Sequence, residues 1–403
     1  MLLRLLKYLG KIILLVVTLL FLVVVIEYLL CPVYKFNEPH PFAGYRIYNP
    51  YQNVDLKKKY KANFQVQSYA WLGLTAGRKN SNEAIYQVYK SQWYDIIATS
   101  DYQKINQNRA GEPGYVAVYE HGYGIRKSHQ ILIGARNVLW TDYPIFQTIH
   151  HKQHILNLLR NGSNLTYIAH PRFRHGYDPE DMKYLSNYDG IEVLNNYRTS
   201  PAHWDSALSA GNYVTILGDD DAHDISNPDE IGHHCTFIFS DGISQAEIID
   251  ALRNGRAYGA MIPRPLGETF EEKRSRTRIL PQISTINVWN DSLEIETDSV
   301  ANEIRFIGQG GSLLEKVTGI KTAYYRIKPD DTYIRTEIEF TQGIIYYLNP
   351  ICRMDKNTPA KTPCPAIDKR RTIIQMIVGF STLLFVLVNG FVLRKRIRSR
   401  RTL

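Results

Sequence analysis

Tyr213-Val214-Thr215-Ile216-Leu217 runs straight into Gly218-Asp219-Asp220-Asp221-Ala222-His223-Asp224. A short β-type run that stops in carboxylates and an imidazole is the unit on which the fold is read. The same arrangement recurs upstream. Tyr94 to Thr99 runs into Ser100-Asp101-Tyr102, Tyr115 to Tyr119 into Glu120-His121, and Leu165 to Ala169 into His170-Pro171. Further β-type runs are Gln130 to Gly134, Gly190 to Leu194 and Cys235 to Phe239. Helical patterns fall between them at Asn82 to Ser91, Tyr143 to Arg160, Pro201 to Ala210 and Ser244 to Asn254. Such alternation argues for parallel βα units, in an α/β barrel or an open sheet. In a barrel, polar side chains at the C-terminal ends of the strands converge on one pocket. Mixed His, Asp and Glu sets there suit zinc, manganese or iron.

Outward from this α/β body, at 61–262, the chain changes character. Residues 33–60 are rich in Pro, Tyr, Asn and Lys and read as a stalk. Residues 263–280 carry Glu268, Glu271, Glu272, Lys273, Arg274, Arg276 and Arg278 and read as a charged linker. Over 281–352 short runs such as Ile286 to Val288, Leu293 to Ile295, Ile304 to Phe306 and Ile334 to Phe340 alternate with polar residues. That pattern suggests a small all-β, sandwich-like module.

Both ends are apolar. Residues 12–30 and 372–393 are each long enough to cross a bilayer as a helix. The first run ends Tyr28-Leu29-Leu30-Cys31-Pro32, without the small residues of a cleavage site. Arg4, Lys7 and Lys11 lie in the tail 1–11; Arg394, Lys395, Arg396, Arg398, Arg400 and Arg401 lie in the tail 394–403. Loop charge of this kind marks the cytoplasmic side, and Lys369-Arg370-Arg371 is the weaker cluster. The expectation is a two-pass protein of the cell (inner) membrane, both termini cytoplasmic and the body periplasmic or otherwise extracytoplasmic. The nine tail charges equal the formal net charge of +9. The basicity is therefore a topology signal, and nucleic acid is not an expected partner. The expected partners are the membrane and an unidentified envelope or surface ligand. Cys352 and Cys364 can pair in an oxidising compartment, although connectivity is not readable from sequence.

In order and spacing, the motifs resemble the PHP (polymerase and histidinol phosphatase) superfamily over about Phe64 to Pro350. Tyr94 to Asp101 looks like its second-strand motif, and Glu120 with His129-Gln130-Ile131-Leu132 like its third. Ala169-His170-Pro171 and Gly190 to Asn195 fit the next two, and Asp220-Asp221-Ala222-His223-Asp224 is the most specific match. Tyr333-Ile334-Arg335 and Asn349-Pro350 are similar to the close of a trailing module. The resemblance implies a distorted (β/α)7 barrel over 61–262 that holds up to three metals and hydrolyses phosphoesters. It also exposes departures. The family's His-x-His pair falls at Tyr69 and Trp71, its next acidic residue at Ala76, and the histidine after Asp101 at Tyr102. Indole and methyl groups do not coordinate metals, and phenols rarely do. On this reading the site of Glu120, His129 and His170 keeps every ligand, the site of the His-x-His pair, Glu120 and Asp221 loses two, and the site at the Ala76 and Tyr102 positions with His223 keeps one. Asp221 is expected as a further metal ligand or, with His223, as the acid–base group. The expected cofactor is one divalent ion (zinc, manganese or iron) or none.

Each residue also has a plainer reading. Glu120 can pair with Arg126, and Asp219 to Asp221 can be a turn cluster. His150, His151 and His154 suit a solvated helix face, and His233-His234 a surface or rim. Tyr69, Trp71 and Tyr102 would form an aromatic wall. The first functional expectation is a degenerate barrel, a pseudoenzyme serving as a ligand-binding or scaffold ectodomain. The alternative is a metal-dependent, phosphoesterase-like hydrolase with a one-metal site. A transporter is disfavoured, because Glu27 is the one charge within the apolar runs.

Overall fold

A computed structural model describes residues 2–75, 77–355 and 358–400, with side chains over 5–75, 77–355 and 358–392. Ala76 and the side chains of Arg4 and of the basic tail 394–403 lie outside the described residues. The chain opens with helix α1 (Leu2–Leu30) and the short strands β1 (Tyr34–Lys35) and β2 (Arg46–Tyr48). There follow β3 (Lys59–Asn63), α2 (Asn82–Ser91), β4 (Ile96–Ile97), β5 (Val118–His121), β6 (Gln130–Ile133), α3 (Ile149–Leu159) and β7 (Leu165–Ile168). Next come β8 (Gly190–Asn195), α4 (Pro201–Ser209), β9 (Thr215–Asp219), β10 (His234–Phe239), α5 (Gln245–Arg253), β11 (Ala257–Met261) and α6 (Phe270–Arg276). The chain closes with β12 (Ile283–Trp289), β13 (Ser292–Ile307), β14 (Leu313–Arg326), β15 (Tyr333–Phe340), β16 (Ile345–Leu348), β17 (Ile351–Met354), β18 (Ala366–Ile367) and α7 (Lys369–Arg400).

Local chemistry sets several of these boundaries. Ser81 caps α2 by accepting from Ala84 N. Ser244 with Glu247 caps α5, and Thr269 with Glu272 caps α6, each as a capping box. The charged stretch 263–280, expected as a linker, is therefore helical in its middle. Its Lys273 is buried, and Lys273 Nζ donates to the carbonyls of Pro228 and Ile231. The expected stalk 33–60 likewise carries strands and buries Phe42 and Tyr51.

The residues form two compact units, 1–36 with 147–154 and 365–403, and 37–146 with 155–364. In the first, α1 and α7 are long and apolar enough to cross a membrane. β1 pairs with β18. Val33 N donates to Thr372 Oγ1 at 3.0 Å and Gln375 Nε2 to Cys31 O at 3.2 Å, and Leu29 packs at Gly379. Positions fall along α1 as they rise along α7, the sense of an antiparallel pair. His150 and His151 are not on a solvated face. His150 stacks with Phe36 at 5.5 Å and accepts from Tyr34 N, while His151 meets the Tyr28 ring edge-on at 5.0 Å.

In the second unit, an eleven-stranded sheet runs β12-β13-β15-β16-β11-β10-β3-β4, with β14, β17 and β2 at its sides. The expected separate β module is not a separate sandwich. β16 pairs with β11, Tyr258 opposite Leu348, so the late strands extend the sheet that holds β3 and β4. Alternation shows that a segment is a strand but not which strand it will join. A five-stranded sheet runs β5-β6-β7-β8-β9, antiparallel from β5 to β7 and parallel from β7 to β9. Strand pairing closes no barrel among the described residues. β10 occupies the edge of β3 that a ring would offer to β9. Single parallel bridges do join the two sheets at both edges, Tyr102 to Glu120 and Val66 to Ala222. Buried Ala62, Phe64, Ile96, Val118, Ile131, Leu165, Leu217 and Ile238 fill the space behind those junctions. No disulfide joins Cys352, buried on β17, to the exposed Cys364.

Candidate metal centre

Adjacent strands β5, β6 and β7 set three buried side chains together. Glu120 stands on β5, His129 just before β6, and His170 just after β7. The backbone pins the two histidines across the β6–β7 junction, since Ala169 N donates to His129 O at 3.1 Å. His129 Nδ1 and His170 Nε2 both turn to Glu120 Oε1, the second at 3.2 Å. Glu120 Oε2 accepts from Gln67 Nε2 at 2.7 Å. Among the described residues, the donor atoms of Glu120, His129 and His170 form the group that lies within 4.8 Å of one another and can hold a metal ion.

Electrostatics favour an anion between these rings. Burial alone would raise the Glu120 carboxyl, but His129 and then His170 outweigh it and hold it well below the usual carboxylate range. Burial leaves His129 below its ordinary value despite Glu120. Burial also opposes charge on His170, yet its bond to Glu120 and the nearby Asp221 lift it above the ordinary value. A carboxylate with two imidazoles is a donor set for zinc, manganese or iron. His129 Nε2 and His170 Nδ1 are buried with no protein partner. Buried polar atoms are rarely left so. The residues present therefore fit a divalent ion.

Asp221 and His223 follow β9. Asn195, at the end of β8, ties the site together: its Nδ2 donates to Asp221 Oδ2 at 3.1 Å and to Glu192 Oε1 at 2.9 Å. Glu192 Oε2 in turn accepts from His170 N at 2.7 Å. His170 and Asp221 both have positive φ, 27° and 49°. Such backbone is costly for residues other than glycine and clusters at functional sites. Burial, with the negative Asp221 and Asp219, pushes the Glu192 carboxyl well up. His223 Nδ1 lies 3.9 Å from Asp221 Oδ1 and 3.1 Å from the Tyr197 hydroxyl.

These groups open onto a cavity of about 470 Å³. His129, His170, Asp221 and His223 line it, with Tyr102, Tyr123, Phe173 and Tyr197 as aromatic walls and Lys127 and Arg174 as cations. A ligand that fits is an anion with an apolar part.

Four of the five expected site residues line this cavity, and Glu120 joins them through its bonds to His129 and His170. Asp221 lies outside the tight donor group, so the expectation of a fourth ligand there finds no such contact. Glu120 does not pair with Arg126, which is exposed. Tyr69 and Trp71 are 53% and 42% exposed, so they are not where a His-x-His pair would stand. Gln65 and Gln67, just past β3, occupy that interior. Gln67 bonds Glu120, and both amide atoms of Gln65 are buried without a partner. The alternation Phe64-Gln65-Val66-Gln67 was the available signal, because residues two apart share one face. Tyr102 does line the cavity, its ring 5.4 Å from that of His129. Asp219 and Asp220 do not. Asp219 Oδ1 accepts from Phe64 N, and Asp220 accepts from the backbone of Gly232, His233 and His234 and from Tyr94. His233 and His234, expected at the surface, are buried. Glu192 and Asn195 join the site without having been expected there as site residues; a carboxylate inside the apolar run Gly190 to Leu194 is the sequence signal for them.

No protein-family model matches the chain. No curated protein matches it either. Among solved structures, one match is the crystal structure of a two-domain protein from Bacteroides vulgatus ATCC 8482, described as containing a predicted PHP-like metal-dependent phosphoesterase. It is 14% identical, covers 78% of this chain and 99% of that one, and has a TM-score of 0.38. A likeness that loose places no residue.

Proposed function

We propose that this chain is a membrane-anchored, PHP-type phosphoester hydrolase working with one divalent ion held by Glu120, His129 and His170. The observation that carries the reading is the convergence of these three buried donors beside a cavity that also presents Lys127 and Arg174. The ion would supply a Lewis acid at a phosphoryl oxygen. Lys127 and Arg174 hold the phosphate by charge. Asp221, oriented by Asn195, takes a proton from the attacking water, and His223, oriented by Tyr197, steers one to the leaving oxygen. Neutral amides at Gln65 and Gln67 replace donors that further ions would need, which limits the site to one. The body falls between two membrane spans in the sequence, and the antiparallel sense of those spans supports both tails on one side, taken as the cytoplasmic side from their positive charge.

The replaced donors also support a second reading, a metal-free domain that binds an anionic ligand without turning it over. Metal analysis of the purified full chain separates the two. About one ion per chain is expected, lost in His170→Ala together with hydrolysis of an aryl phosphate. A folded chain that takes up neither zinc nor manganese would sink the hydrolase and leave the binding domain.

A further inference from the structure

The segments that line the cavity at Leu74–Thr75 and Gly122–Tyr123 carry exposed apolar side chains on and beside them. Leu72 is 91% exposed, Leu74 88%, Ile125 66% and Trp140 58%. Trp71 and Tyr123 both contact Trp140, and Leu72 and Ile125 lie within two residues of Trp71 and Tyr123 in the chain. The Trp71 and Trp140 rings meet edge-on at 5.8 Å, and Tyr123 OH donates to Trp140 O at 2.9 Å. Leu74 and Tyr123 line the cavity itself. Trp71 Nε1 donates to Tyr102 O at 2.7 Å, which fastens its segment to the cavity wall. Trp71 and Leu72 hold this position at φ of 52° and 56°. Such backbone is unfavourable for large residues, and here its result is to leave Leu72 in solvent. Contiguous exposed apolar surface marks a contact. Tryptophan and tyrosine beside leucine and isoleucine suit the boundary between headgroups and acyl chains. Lys127 and Arg174, inside the mouth, complement an anionic headgroup.

We propose that these apolar side chains dock on a lipid bilayer and present a lipid with a phosphate headgroup to the Glu120–His129–His170 site. The choice of a bilayer rests on charge complementarity at the mouth and on the two helices that put a membrane within the chain's reach. The chemical step rests on the hydrolase reading; the docking does not. In that step the oxygen of water bonds to phosphorus. The bond from phosphorus to the lipid alcohol oxygen breaks with its electron pair, and that oxygen receives a proton. The phosphate leaves into water, and the alcohol stays in the bilayer.

Tryptophan fluorescence tests this on the full chain, because neither α1 nor α7 contains tryptophan. The protein is reconstituted in vesicles of phosphatidylcholine and phosphatidic acid, with and without brominated acyl chains. Bromolipid is expected to quench the emission, and Trp71→Phe with Trp140→Phe to remove most of that quenching. In Leu72→Asp with Ile125→Asp, hydrolysis of phosphatidic acid in vesicles is expected to fall by about tenfold or more, with hydrolysis of a soluble aryl phosphate unchanged. Trp71 and Trp140 that respond to aqueous acrylamide but not to bromolipid overturn the proposal. So does shielding from both quenchers, which would indicate a protein partner. Bromolipid quenching without turnover of any phosphoester supports the docking surface and instead removes the hydrolase reading.

Discussion

At the scale of single residues, the site is defined by side chains that face each other from different strands. Gln67 bonds the carboxylate of Glu120, and Gln65 is buried with an unmatched amide. Converting both to histidine supplies two imidazoles beside Glu120. Metal analysis of Gln65→His with Gln67→His is expected to rise from about one ion per chain to about two. On the hydrolase reading, Lys127→Gln or Arg174→Gln removes a charge that would meet substrate and product alike. The expected result is a KM for aryl phosphate raised by roughly tenfold with kcat little changed, the mark of uniform binding. A fall in kcat alone would assign those cations to the transition state instead. Glu120, His170 and Asp221 were legible as candidates because carboxylates and imidazoles recur together at the ends of several apolar runs, although Asp219 and Asp220 show that the same position also serves a turn. Gln65 and Gln67 were not, since amides are common everywhere and only their burial beside Glu120 singles them out.

At the scale of elements, the two ends of the segment between β9 and β10 are tied together by Asp220. Asp220 accepts three backbone N–H groups at 2.8 to 3.1 Å and the Tyr94 hydroxyl at 3.2 Å. Asp220→Ala leaves these donors buried and unpaired, at a cost of roughly 3 kcal/mol or more. The thermal midpoint of the purified chain should drop accordingly, and an unchanged midpoint would show that water replaces the carboxylate. Two neighbours at the far end of that segment give an acid-sensitive stability. Burial, with the positive charge of Lys273 and Arg264, lowers His233 to about 3. Burial, with Arg264, lowers His234 to about 4. Both fold neutral and unfold with values of about 6.5. Folded values below the unfolded ones mean that stability present above pH 6.5 is lost as the pH falls toward 4. Midpoints measured across that window should decline, and His234→Asn should flatten the decline. The helices α2, α4 and α5 and most strands fall where the sequence pattern predicted them. The barrel does not close by pairing, because β10 competes for the edge of β3, and no local pattern records that competition.

At the scale of the whole molecule, two apolar helices bracket one large folded unit. In a Cys364→Ser background, Leu266→Cys places a thiol on a fully exposed side chain of that unit. A membrane-impermeant maleimide added to intact cells is expected to label it, as an extracytoplasmic body requires. Labelling that needs permeabilised cells would reverse the orientation. The sequence by itself determined the two long apolar helices, the α/β alternation and the carboxylates and imidazoles at the strand ends, because length, periodicity and residue type are local properties that survive without partners. Only the tertiary structure decided that the late strands share a sheet with β3 and β11, and that Tyr69 and Trp71 stand outside while Gln65 and Gln67 stand within. The same holds for the exposed apolar side chains beside the cavity. Each of these depends on which edges pair and which side chains exclude water, and those choices are made between segments far apart in the chain.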